Sequence, residues 1–275
     1  MPQRRKQSLS PHERVNEMTR IGSIAFHTFK ESVRERVLYN LIVFALLMIG
    51  AAILFASISV GVDQIILVNL GLTSISVFGL LMAIFIGIGL VSKEIERKTV
   101  YVILSKPVAR AEFIVGKYVG LLFTLLVNTS IMTAGFYLAL LYQKRGLEWH
   151  DLTALAAIYF ILLELALVVG LALLFSCLST PILSAVYTFC LFVIGNLLSD
   201  VRWFGEESAS AVLRKATALV YYLLPNFGNF NVITQVAHGE AVPGYLLVAN
   251  SCYALLYITV LVSGAILIFE EREFR

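Results

Sequence analysis

The stretch IILVNLGLTSISVFGLLMAIFIGIGLVSKEIERK, residues 65–98, decides the fold class. Residues 65–91 carry no formal charge, and then Lys93, Glu94, Glu96, Arg97 and Lys98 follow almost without interruption. A spanning helix needs about 20 consecutive apolar residues, so this run crosses a bilayer as a helix and ends at a polar face. Working outward, five more apolar runs lie at 38–60, 118–142, 152–175, 181–198 and 245–269. The prediction is an all-α polytopic membrane helix bundle with six transmembrane helices.

Composition agrees. Charged residues make up 14% of the 275 and hydrophobic residues 59%, whereas an ordinary soluble domain is about a quarter charged. That mix excludes a water-soluble globule and a disordered chain. Eighteen Gly and six Pro without a triplet period exclude collagen, and three Cys exclude a disulfide scaffold. A net charge of +3 is too small to suggest nucleic acid, and six spans leave no room for a separate catalytic domain.

Ahead of the first span, residues 1–38 are polar and basic. They lack the short apolar core of a signal peptide. Ile21, Ile24, Ala25, Phe29, Val33 and Val37 recur at steps of three and four while Arg20, Ser23, Lys30, Glu31, Arg34 and Glu35 fall mostly elsewhere on the wheel. This is an amphipathic interfacial helix. Residues 39–275 form the transmembrane domain. With the N-terminus inside, sixteen of the 21 lysines and arginines fall on the inner side, so the positive-inside rule places both termini in the cytoplasm. The loop 92–117 is then cytoplasmic and the segment 199–244 external.

Residues 216–239 are free of charge and offer a seventh span, but Pro225, Asn226, Gly228, Asn229 and Asn231 are poorly tolerated against lipid. The expectation is a helix or re-entrant piece dipping back from outside. Tyr221, Tyr222, Phe227 and Phe230 bracket Pro225 with the aromatic weight of an interfacial anchor or an external gate. A tight turn is expected at 176–180, with Pro181 near a helix start.

Candidate chemistry is sparse. His12, His27, His150 and His238 lie in different segments without ligand spacing, so a metal site is not expected. Asp151 and the other external carboxylates read as solvated. Glu164 is the one formal charge inside a predicted span. It is either a structural hydrogen-bond former, with a neighbour such as Asn128 or Asn196, or a functional intramembrane polar site. In the loop, Glu94 and Lys98 are spaced to pair one turn apart, Ser105 suits a helix cap and Pro107 a first helical turn.

Glu94, Glu96, Arg97 and Thr99, then Leu104, Ser105, Pro107 and Arg110, then Glu112, Gly116 and Lys117 resemble the first cytoplasmic loop of ABC-2 type permeases. The likeness leans toward the branch serving maturation of multicopper enzymes such as nitrous oxide reductase, and covers nearly the whole chain. Many relatives carry Gly where this chain has Lys98. The resemblance implies a transport subunit rather than an enzyme, an exporter in the bacterial inner membrane, working as a homodimer with two copies of an ABC ATP-binding subunit and room for a periplasmic accessory protein. It assigns ATPase-coupling roles to Glu94, Glu96, Arg97, Lys98, Thr99, Ser105, Pro107, Arg110 and Lys117. No GxxxxGK[ST] occurs, and Gly116-Lys117 is followed by Tyr118, so ATP and magnesium belong to the partner. The rivals are a proton-coupled secondary transporter using Glu164 and a membrane scaffold without an ATPase.

Overall fold

The computed structural model describes residues 11–59, 61–96, 110–144, 146, 149–207 and 211–271. In chain order the α-helices are α1 (Pro11–Val33), α2 (Arg36–Ile58), α3 (Asp63–Glu96), α4 (Arg110–Lys144), α5 (Thr153–Leu178), α6 (Pro181–Asn196), α7 (Leu198–Glu207), α8 (Ala211–Leu223), α9 (Ile233–Ala237) and α10 (Gly244–Glu271). Short 3-10 turns occupy Trp149–Leu152 and Phe227–Phe230. Among the described residues there is no strand.

Five helices, α2, α3, α4, α5 and α10, are each long and apolar enough to cross a membrane alone. Where the sixth crossing is expected the helix is broken: α6 and α7 are long and apolar enough only when taken together, and they meet at a 51° bend at Leu197. The candidate seventh span breaks up. Ala211–Leu223 supplies only 13 residues before Pro225, too few to cross, and the Phe227–Phe230 turn and α9 follow.

The links are set by local chemistry. Gly61, at φ 85°, takes the left-handed turn between α2 and α3 that a side chain resists. Pro181 sits in the first turn of α6, where its missing N–H costs nothing, as expected, and Ser184 donates back to the Phe175 carbonyl at 2.8 Å across that turn. Gly239, at φ 83°, closes α9.

The central helix is α5. It is mostly buried, whereas α2 and α10 are mostly exposed and therefore lie at the rim of the bundle. It lies close against α3, where a Cβ on Gly79 would meet Leu165 at 2.6 Å and one on Gly87 would meet Ala172 at 2.6 Å. Between spans, where lipid is as apolar as protein, such small-residue contact is what holds helices together.

The expected amphipathic N-terminal helix is present, and its apolar side is occupied. α1 and α2 follow α4 in one continuing register: Ile24 meets Gly116, Phe29 packs edge-on to Phe123 at 5.2 Å, and Leu46 meets Gly135. At the opposite end Asp151, expected to be solvated, is buried and pairs with Lys144 at 2.6 Å. Tyr137 donates to the Asp151 carbonyl at 3.1 Å, tying α4 to the start of α5. Here too the expected aromatic anchor divides. Tyr222 is exposed, but Phe227 and Phe230 are fully buried, against Phe192 at 5.1 Å and Phe160 at 6.5 Å respectively. The piece beyond Pro225 therefore dips into the bundle.

Candidate functional site

The charged loop joins the two longest helices. α3 has 34 residues and α4 has 35, each about 50 Å long at 1.5 Å per residue, against a hydrocarbon core of about 30 Å. Both are longer than a perpendicular crossing requires, and their charged ends, Lys93 to Glu96 and Arg110 to Lys117, are the ends that the loop joins. Of the residues assigned to coupling, Arg97, Lys98, Thr99, Ser105 and Pro107 lie outside the described residues, as do the side chains of Glu94 and Glu96 at the end of α3. Arg110 and Lys117 are described, and they define the root from which the loop enters α4.

That root is held on two sides. Toward α10, the Arg110 guanidinium donates from Nη1 to the Glu270 carbonyl at 2.7 Å and to the Phe269 carbonyl at 3.4 Å. The last carbonyls of a helix have no partner within it and carry its partial negative charge, so a cation there is doubly favoured. One turn on, Phe113 stacks on Phe269 with centroids 5.7 Å apart and planes 21° from parallel. Phe269, at 1% exposure, is among the most buried side chains.

Toward α1, Gly116 and Gly120 form a GxxxG face. A Cβ on Gly116 would lie 2.8 Å from Ile24, and one on Gly120 would lie 2.5 Å from the Ala25 carbonyl oxygen and 2.7 Å from Thr28. Arg20 approaches Glu112 at 4.0 Å, the arginine partly exposed and the glutamate nearly buried. Lys117 is buried, with its ammonium 5.6 Å from the centre of the Phe113 ring, a cation–π arrangement. Of Arg110 and Lys117, assigned to coupling on resemblance alone, Lys117 is buried in the bundle and Arg110, part-buried, ties the start of α4 to the end of α10.

Sequence reasoning missed the other half of this bracket, Phe269 and Glu270 at the far end of the chain and Arg20 on α1. Spacing within the loop carries no information about them. The only available signal was the pairing of a basic residue at one helix start with a charged helix end on the same predicted face of the membrane.

Glu164 lies in the middle of α5, separate from this root, and is 6% exposed. No hydrogen bond or ion pair joins it to another of the described residues. Neither proposed neighbour serves: the Asn196 amide donates to the Phe192 carbonyl at 3.1 Å, and the buried Asn128 Nδ2 has no partner among the described residues. One turn from Glu164, Phe160 touches Phe230 of the dipping segment.

Compared with family models, the chain matches the ABC-2 family transporter protein across residues 22–274. The corresponding comparison with curated proteins finds no match.

Proposed function

The chain belongs to the ABC-2 transporter family and is a membrane permease subunit of an ABC transporter; from that premise we propose that it works as an exporter, in a homodimer driven by two copies of a separate ATPase. In this reading the bundle sits in a bacterial inner membrane with both termini in the cytoplasm, and the loop after α3 is the contact with the ATPase. ATP and magnesium are held by the partner, consistent with the lack of a phosphate-binding motif in this sequence.

The observation that carries the proposal is the bracket around the start of α4. A loop that transmits force must be rooted in something stiff. Arg110 on the α10 carbonyls and the GxxxG face against α1 join three helices at that root. Movement imposed on residues 97–109 then passes to α1, α4 and α10 together, a rigid-body response of the kind that opens and closes transport pathways.

The test is coexpression with a candidate ABC ATP-binding subunit as the partner. Reversal of Arg97 to Glu, at one of the residues assigned to coupling, should reduce copurification of the ATPase at least tenfold and abolish transport-coupled hydrolysis while the bundle stays folded. Undiminished copurification and hydrolysis would return the loop to the role of a topological anchor. Glu164, buried and with no hydrogen-bond partner among the described residues, favours the rival proton-coupled reading. Transport that persists without ATP and collapses with the proton gradient would establish that rival.

A further inference from the structure

Where α1 gives way to α2, the chain leaves two adjoining recesses of opposite character. One, of about 740 Å³, is lined by His27, Lys30, Glu31, Arg34, Glu35, Arg36 and Val37. The other, of about 210 Å³, runs between this junction and α3, and its lining includes Val37, Leu38, Phe85, Ile86 and Gly89. Glu35 and Val37 line both, so the charged recess and the apolar one share a wall. We propose that this junction is a binding site for one anionic glycerophospholipid, its phosphate among Lys30, Arg34 and Arg36 and an acyl chain along Val37, Phe85 and Gly89.

The position suits such an occupant. Arg36 is the first residue of a membrane-crossing helix, so the charged recess lies where hydrocarbon gives way to headgroups. Lys30, Arg34 and Arg36 are exposed, and no ion pair ties them to a carboxylate among the described residues. Two carboxylates share the recess, Glu31 and Glu35, and Glu35 already has a partner. The formal balance of Lys30, Arg34 and Arg36 against Glu31 and Glu35 is one net positive charge. Basic pockets beside transmembrane helices are suited to anionic headgroups, each lysine or arginine near the surface strengthening the attraction about fivefold.

The tail recess has room for its guest. Phe85 and Val37 are 55% and 45% exposed, and nothing lies within 4 Å of where a Cβ on Gly89 would stand. A phosphate ion alone would use only the charged half, and a neutral lipid only the apolar half. An anionic phospholipid uses both, which is the argument for it over either.

The experiment uses the full chain purified in mild detergent, delipidated, and exposed to equal amounts of phosphatidylglycerol, phosphatidylcholine and phosphatidylethanolamine, with bound lipid counted by native mass spectrometry. The unmodified chain should retain phosphatidylglycerol at least tenfold over the other two, and millimolar inorganic phosphate should not displace it. The triple change Lys30→Gln, Arg34→Gln, Arg36→Gln should abolish the preference. Because that variant also alters the positive-inside signal, Gly89→Leu provides an independent arm: it fills the tail recess, leaves every charge in place, and should lower retention at least fivefold. Arg214→Gln with Lys215→Gln, at the far end of the bundle, should change nothing. Equal retention of the three lipids, a preference for phosphatidylethanolamine, displacement by phosphate, or unaltered retention by Gly89→Leu would each overturn the assignment.

Discussion

Arg110, the first residue of α4, donates a 2.7 Å hydrogen bond to the carbonyl of Glu270 in the last turn of α10, 160 positions along the chain. The contact closes the bundle at the end that carries the charged loop. It also changes what a substitution at Arg110 reports. A hydrogen bond with a charged donor contributes about 1.5–3 kcal/mol. Arg110→Ala should therefore lower the thermal midpoint of the purified permease, and Arg110→Lys, which keeps the cation near the helix end without the planar fork, should recover part of the loss. A normal midpoint for Arg110→Ala in a variant that still loses ATPase binding would place Arg110 at the partner surface instead.

Gly120 makes a second, sharper test of the same bracket. A methyl group there would stand 2.5 Å from a backbone oxygen of α1, which cannot swing aside as a side-chain tip can. Gly120→Ala should push α1 off α4 at a cost of about 1–3 kcal/mol. Faster amide hydrogen exchange within α1 would read the separation. The control is Gly22→Ala, in open space on the same helix, where replacing a helical glycine should stabilise by about 0.5–1 kcal/mol.

Much of this architecture was legible in the sequence. Runs without charge are long-range statements about solvent, so five single spans and the turn before Pro181 follow directly from them. The break at Leu197 was not legible, because both halves are apolar and the bend depends on what packs beneath it: Gly195 lies against the Pro225 carbonyl and the Phe227 ring. The wheel of α1 showed that one face avoids water but not that α4 covers it. Asp151 misled for a related reason. A carboxylate in a short connection reads as solvated, and its burial depends on Lys144 reaching across that connection. In the candidate site the loop residues were visible as a motif, while Phe269, more than 150 positions away, was visible only as one more apolar residue in the last span.

Orientation is open to direct measurement. On a background lacking Cys177, Cys190 and Cys252, a cysteine replacing Gly146 should react with an impermeant thiol reagent applied to whole cells. One replacing Gly22, or one replacing Glu271, should react only after the membrane is opened. All three positions are exposed at the two ends of the bundle. Labelling at Glu271 from outside would require an odd number of crossings and would move the segment after α8 into the membrane as a span.

Glu164 tests whether the buried carboxyl is retained for structure or for work. A buried polar group without a hydrogen bond destabilises by about 1–3 kcal/mol, and within the described residues Glu164 has none. Replacing it with an apolar residue of similar bulk should therefore stabilise the bundle, as removal of uncompensated buried polar groups does elsewhere. Glu164→Leu is expected to raise the thermal midpoint, and Glu164→Gln, which keeps the shape and the polarity, to leave it nearly unchanged. Transport should fall in both, because an ionisable residue held at a stability cost inside a span is a functional residue by default. The two readouts separate the alternatives when taken together at matched expression. A lower midpoint for Glu164→Leu would mean that the carboxyl is bonded after all, for instance across the interface with a second copy. Full transport by Glu164→Gln would mean that its ionisation is not used, and would remove the proton-coupled rival with it.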